Sequence, residues 1–257
     1  MTFKEFYKQS EKDKYDQYVT ELSEAASRAN IVLRTLGTVK DYDLYRLTIN
    51  PGKAPTILIG ATMHGDEPAG AYAVIEYLKE QRFPTKTRLI ILPCMNPHGF
   101  ATEERWALGG RDLNRQWRKK ELKEEAQLIY DTLKGERIDF FLSLHEDDTT
   151  KGFYIYASDK KLKKKWEPMM EMAEKMMKIN TQKTIYGQRT DEKGIILVDK
   201  ENNKEARHDT SIESWVYRTH RANYLCTETP SSLPMKWRVR LYKNFIDYIA
   251  KNVLKEE

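Results

Sequence analysis

Residues 62–68 read Thr-Met-His-Gly-Asp-Glu-Pro and follow directly on the apolar run TILIGA. His64 and Glu67 stand three residues apart at the entry to a helix-like stretch, so an imidazole and a carboxylate can face one point there. That is half of a metal site. The same spacing also serves an ordinary strand-to-helix turn in which Glu67 supports the helix dipole. A catalytic zinc takes three ligands from His and carboxylate and keeps a fourth position open, so partners must come from elsewhere. His145 directly follows the long apolar run IDFFLSL, and Glu228 ends the run ANYLCTE. His98 lies in a Pro- and Gly-flanked turn, whereas His208 and His220 sit in polar, helix-like surroundings that suit exposed structural histidines. Two histidines and a carboxylate with a further glutamate nearby favour zinc over copper, iron or manganese.

The elements that must position these residues can be read from periodicity. Helix-forming composition runs from about residue 3 to 29, followed by strand-like IVLRTLGTV and YDLYRLTI, joined by a turn at Lys40 and Asp41. TILIGA, RLIILPC and IDFFLSL are apolar on both faces, the pattern of covered central strands. Further strands are expected at GFYIYAS, GIILVD and ANYLCTE, with helices in EPAGAYAVIEYLKEQ and KKELKEEAQLIYDTLKG and around 161–178, 210–220 and 236–254. Apolar strands alternating with amphipathic helices predict an α/β class with a covered, mostly parallel sheet. One domain over 1–257 is expected, with residues 1–30 as an N-terminal helical extension. Ligands of such sheets gather beyond the carboxyl ends of strands, and His64, Asn96, His145 and Glu228 all fall there.

Composition narrows the class. The 257 residues carry 44 Lys and Arg against 39 Asp and Glu, a net charge of +5 spread over both signs. No run approaches the ~20 apolar residues of a membrane helix, and the charged N-terminus lacks an apolar signal core. Two cysteines, Cys94 and Cys226, lie in apolar runs and suggest no disulfide framework. A cytoplasmic setting without membrane association is the expectation. The basic run DKKLKKKW at 159–166 has no aromatic or glycine interleaving, so it reads as a solvated helix start rather than a nucleic-acid surface. Nothing in the chain sets an oligomeric state.

The ordered set MHGDEP, MNPHGF, RWALGGRDLNRQW, SLHED and TETP resembles the zinc carboxypeptidase family of the carboxypeptidase A type, a superfamily that includes aspartoacylase and succinylglutamate desuccinylase. The resemblance spans roughly residues 36–230. It implies a three-layer α/β/α fold with a mixed, mostly parallel sheet, and one zinc per chain held by His64, Glu67 and His145. Asp112 would bond the first histidine and fix its orientation. Glu228 would be the general base and acid, and Arg105, nine residues before Asn114, would stabilise the oxyanion. Asn114 and Arg115 would hold the substrate's terminal carboxylate.

Several positions depart from the pattern. His98 replaces the usual aspartate of Asn-Pro-Asp-Gly and would bring an imidazole near the mouth of the site. Arg111 replaces a small apolar residue and competes with Arg105 for the oxyanion. Tyr217, eleven residues before Glu228, is the best candidate for the family's mobile tyrosine, although a core or surface role is open to it. Glu146 and Asp147 read as loop charges or substrate contacts. The leading expectation is a zinc metallocarboxypeptidase acting on a peptide with a free C-terminal carboxylate. The alternative is an N-acyl amino acid deacylase of the aspartoacylase type, which HGDEPAG resembles closely; the single helix expected after Pro230 favours the peptidase. A non-catalytic binding module on the same fold would require a lost ligand, and none is missing. The positive charges of Arg105, Arg111, Arg115 and Arg118 point toward acidic substrates.

Overall fold

The structure is a computed structural model that describes residues 3–53, 55–118, 121–191, 193–198 and 209–254. In chain order the elements are α1 (Phe3–Arg28), β1 (Leu33–Val39), β2 (Tyr42–Ile49), β3 (Thr56–Ala61), α2 (Ala69–Glu80), β4 (Arg88–Leu92) and α3 (Pro97–Thr102). They continue with α4 (Glu124–Leu133), β5 (Phe140–Asp147), β6 (Tyr154–Ala157), α5 (Lys163–Glu174), β7 (Thr184–Ile185), β8 (Gln188–Arg189) and β9 (Ile195–Leu197). The last three are α6 (Ile212–His220), β10 (Asn223–Pro230) and α7 (Met235–Asn252).

The large sheet has the order β1-β2-β4-β3-β5-β10-β6-β9. Its middle is parallel, β4 with β3, β3 with β5 and β5 with β10, while β1, β2 and β6 run antiparallel to neighbours. Helices cover both faces. One core joins α1, α2, α5 and α7 to the sheet through Tyr18, Leu22, Tyr77, Leu142, Phe245 and Ile249. The opposite core places α4 and α6 under Leu58, Ile90 and Phe141. This is the covered α/β sheet expected from the alternating pattern, in the three-layer α/β/α arrangement that the family resemblance implies.

All six residues of β3 and all eight of β5 are buried, as strands covered on both faces must be. Ile57, Leu58 and Ile59 are fully buried, and each such side chain contributes about 1.5–3 kcal/mol of transfer free energy. α1 is more than an appendage, because Tyr15, Tyr18, Leu22, Ala25 and Ala26 are buried in the first core.

Three features differ from the sequence expectation. β5 extends through His145 to Asp147, so Glu146 and Asp147 are buried strand residues and not loop charges. The turn around His98 is the short helix α3, with Pro97 at its start and the Asn96 side chain accepting from the Gly99 N–H. A small hairpin, β7 and β8, occupies a stretch without a strand pattern. The lysines of 160–164 are exposed at the start of α5, the solvated surface their composition predicts. Among the described residues no helix is long and apolar enough to cross a membrane. His208 lies outside the described residues.

Candidate metal centre

Sheet register brings the distant residues together. β3 pairs with β5 so that Ala61 stands beside Leu144, which sets the loop carrying His64 next to His145. β10 pairs with β5 so that Glu228 lies directly beside His145. His64 Nδ1 is 2.6 Å from Glu67 Oε1, and His145 Nδ1 is 2.8 Å from Glu67 Oε2. The two imidazole centroids are 5.1 Å apart. His64, Glu67 and His145 are all buried, and one ligand atom from each lies within 4.8 Å of the others.

The donor set fits a metal. Each imidazole turns Nδ1 toward the shared point and its other nitrogen toward a carboxylate: His64 Nε2 is 3.4 Å from Asp112 Oδ1, and His145 Nε2 is 3.2 Å from Glu213 Oε1. A carboxylate bonded to the outer nitrogen of an imidazole fixes its tautomer and raises its basicity; Glu213 does this for His145, while Asp112 approaches His64 without closing a hydrogen bond. Burial pushes the Glu67 carboxyl up, but the two imidazoles overcome this and pull it down to about 2. Burial also opposes charge on His64 and His145. The carboxylates on both sides of each ring nevertheless hold them above the usual histidine range. Two imidazoles and one buried carboxylate can accept a divalent cation once the imidazoles release the protons that the surrounding carboxylates favour.

Gly65 explains the tight approach. A Cβ there would sit 1.8 Å from the Gly99 carbonyl carbon, so the loop leaving β3 and the start of α3 touch backbone to backbone. Thr62 adopts a left-handed φ of 53°, and its carbonyl accepts the Asn96 N–H at 3.0 Å. The Asn96 amide reaches on to the Arg105 carbonyl at 3.2 Å. The Asn-Pro-His-Gly segment thus braces both the loop that carries His64 and Glu67 and the position of Arg105. Gly65→Ala is expected to destabilise the protein by about 3 kcal/mol or more, since a methyl group is forced into backbone. Thermal unfolding of the metal-free protein would measure it.

Arg105 donates to Asp112 Oδ2 at 2.9 Å through Nη2, while Nη1 is 3.3 Å from His64 Nδ1 and 3.9 Å from Glu67 Oε1. Arg111, the competing arginine, is paired with Glu124. Asn114 is buried, donates to Glu213 Oε2 at 3.2 Å and accepts the Ile212 N–H at 2.9 Å. Arg115 is exposed and donates to the Asn114 carbonyl at 3.0 Å.

Tyr217 lies exposed on α6, its ring 6.4 Å from that of Tyr224, and it shares no hydrogen bond with His64, Glu67, His145 or Glu228 among the described residues. Tyr186, at the β7–β8 turn, instead bonds Asp147 Oδ1 at 3.0 Å and Thr149 at 2.6 Å. His98 is not at the mouth: α3 turns its ring against Tyr42, with centroids 6.0 Å apart. His220 bonds the Glu136 carbonyl at 3.1 Å, the structural role its surroundings suggested. Glu146 accepts from the Ala69 N–H at 2.7 Å and pairs with Arg238, which ties β5 to α2 and α7. Glu228 feels burial first and then the opposed influences of His145 and of Glu67, Asp147 and Glu213. The balance holds its carboxyl well above the ordinary range.

Residues 53–194, more than half of the chain, match the model of the succinylglutamate desuccinylase/aspartoacylase catalytic domain. The chain belongs to that family. The family's stretch contains His64, Glu67, Arg105, Asp112 and His145, and Glu213 and Glu228 lie beyond it. No curated protein matches the chain. Among solved structures, a Shewanella amazonensis SB2B protein described as a metallopeptidase is similar over 91% of each chain, with 21% identity and a TM-score of 0.79. A Pseudomonas aeruginosa metallo-carboxypeptidase, solved with (2-guanidinoethylmercapto)succinic acid, is similar at a TM-score of 0.64 and 17% identity, over 89% of this chain and 67% of that one. A Rhodobacter sphaeroides succinylglutamate desuccinylase/aspartoacylase gives 0.53 and 17%, over 81% and 58%. These likenesses establish the carboxypeptidase-like fold that the family shares.

Proposed function

We propose that this family member is a zinc-dependent hydrolase that cleaves the C-terminal peptide bond of a short, acidic substrate with a free carboxylate. The observation that carries the reading is the convergence of His64, Glu67 and His145 on one point with Glu228 beside His145 in the sheet. Zinc at that point would polarise the scissile carbonyl and lower the pKa of water to about 7.

The chain's own groups supply the rest. Arg115, the exposed member of its pair, takes the substrate carboxylate, since the Asn114 amide already serves Glu213 and Ile212. A planar guanidinium binds both carboxylate oxygens. Arg105 is held by Asp112 with Nη1 toward the trio, so it faces the oxygen on which negative charge builds. Glu228 takes the proton from the attacking water and returns it to the departing amine. Arg111 is left out of the chemistry by its pair with Glu124.

The family match favours a second reading, cleavage of an N-acyl amino acid by the same groups. Both reactions hydrolyse an amide close to a carboxylate. The Pseudomonas aeruginosa protein was solved with a guanidino derivative of succinic acid, whose carboxylates support a substrate with a free carboxylate in either case. Turnover of peptides varied at their last two positions, run beside N-acetyl and N-succinyl amino acids, separates the two. Faster cleavage of peptides with an acidic terminus is expected. Cleavage of the N-acyl amino acids alone would replace the first reading with the second, and indifference to the charge of the last side chains would remove the preference for an acidic substrate.

A further inference from the structure

Glu213 is a titratable residue of the centre that neither the motifs nor the family stretch include. It sits in the first turn of α6, buried, 68 residues along the chain from His145. Three side chains converge on its carboxylate: His145 Nε2 at 3.2 Å and Ser143 Oγ at 2.5 Å on Oε1, and Asn114 Nδ2 at 3.2 Å on Oε2. Ser143 and His145 are alternate residues of β5 and so reach the same side of the sheet. Asn114 also accepts the Ile212 N–H, which locks the 3-10 turn Leu113–Arg115 to the start of α6.

We propose that Glu213 is a positioning residue that presents His145 to the metal, with Asn114 and Ser143 as its clamp. This rests on the metal-site reading above. With Oε1 accepting at Nε2, His145 keeps its proton there and turns the Nδ1 lone pair to the trio. The role parallels that of Asp112 on His64, but the two carboxylates differ in how they are spent. Asp112 is shared with Arg105 and its side chain is 17% exposed, whereas that of Glu213 is 5% exposed and, among the described residues, takes its side-chain hydrogen bonds from His145, Ser143 and Asn114. Asp112 can therefore respond to movement of Arg105, while Glu213 acts as a fixed anchor.

Cys226 lies close enough to His145 and Glu213 for the three to form a second metal-ligand group. That use would require His145 to give up both nitrogens, and Glu213 would have to release Ser143 and Asn114. The hydrogen bonds in place favour the anchor.

The test is zinc affinity, measured by competition with a chromophoric chelator, for the wild-type protein, Glu213→Gln and Ser143→Ala. Glu213→Gln is expected to weaken zinc about 10- to 100-fold, and Ser143→Ala to weaken it less, since the carboxylate stays but loses a clamp. In zinc-loaded wild-type protein, long-range proton–nitrogen NMR should find the His145 proton on Nε2, a readout that needs no variant to fold. Unchanged affinity in Glu213→Gln, or the proton absent from Nε2, would overturn the proposal. Wild-type protein that binds no zinc would overturn the metal reading itself, and two zinc ions per chain would overturn the anchor in favour of the second ligand group.

Discussion

Glu228→Gln is expected to leave the metal in place and to lower amide hydrolysis by a factor of about 10²–10⁴, the usual contribution of a positioned acid–base group. The two halves of that result have separate physical grounds. Glu228 is not one of the three groups that converge on the metal point, so its neutral isostere should not disturb binding. Its place beside His145 on the neighbouring strand nevertheless puts a carboxylate within the same small volume. Desolvation and the charges of Glu67, Asp147 and Glu213 hold that carboxyl up in the metal-free protein, against the pull of His145. A divalent cation at the trio acts in the opposite direction and favours the ionised base. Single-turnover rates together with metal content check the prediction. Loss of metal in the variant would make Glu228 a ligand, and full activity would remove it from the chemistry.

Arg105→Ala is expected to lower kcat about 10²–10³-fold, the cost of removing one preorganised donor from a developing oxyanion. Arg111→Ala should change kcat little. The contrast follows from where each guanidinium is spent. Arg105 uses Nε and Nη2 on Asp112 and directs Nη1 toward His64 and Glu67, while Arg111 is committed to Glu124. Because Arg105 acts on charge that forms only in the transition state, its loss should appear mainly in kcat and less in KM. A large effect from Arg111 with none from Arg105 would reverse the assignment. Arg105→Lys should recover only part of the activity, since an ammonium cannot hold Asp112 through two nitrogens and point a third at the trio.

Much of this centre was legible in the sequence because it hangs on strands whose patterns are hard to mistake. TILIGA and IDFFLSL read as covered strands and are β3 and β5, and the polar residues that follow them meet at the metal point. Asp112 and Arg105 were accessible through the RWALGGRDLNR stretch. Glu213 was not. A glutamate in the first turn of a helix is ordinary, since it suits the helix dipole, and only the fold shows that this one faces inward between β5 and the Leu113–Arg115 turn. Asn114 illustrates the same limit: the motif suggested a substrate contact, while the structure spends its amide on Glu213 and Ile212. His98 turns against Tyr42 on α3 and Tyr217 lies exposed on α6, placements set by side-chain direction that proximity in sequence to a motif does not reveal. Tyr186 carries no periodic signal because a two-residue hairpin strand is too short to show one.

The central claim is that hydrolysis depends on one metal held by His64, Glu67 and His145. Elemental analysis of protein purified without added metal, paired with activity before and after chelation, addresses it most directly. About one zinc per chain is expected, with activity lost on removal and restored in proportion to the zinc returned. Metal-free protein that hydrolyses its substrate at the full rate would contradict the account.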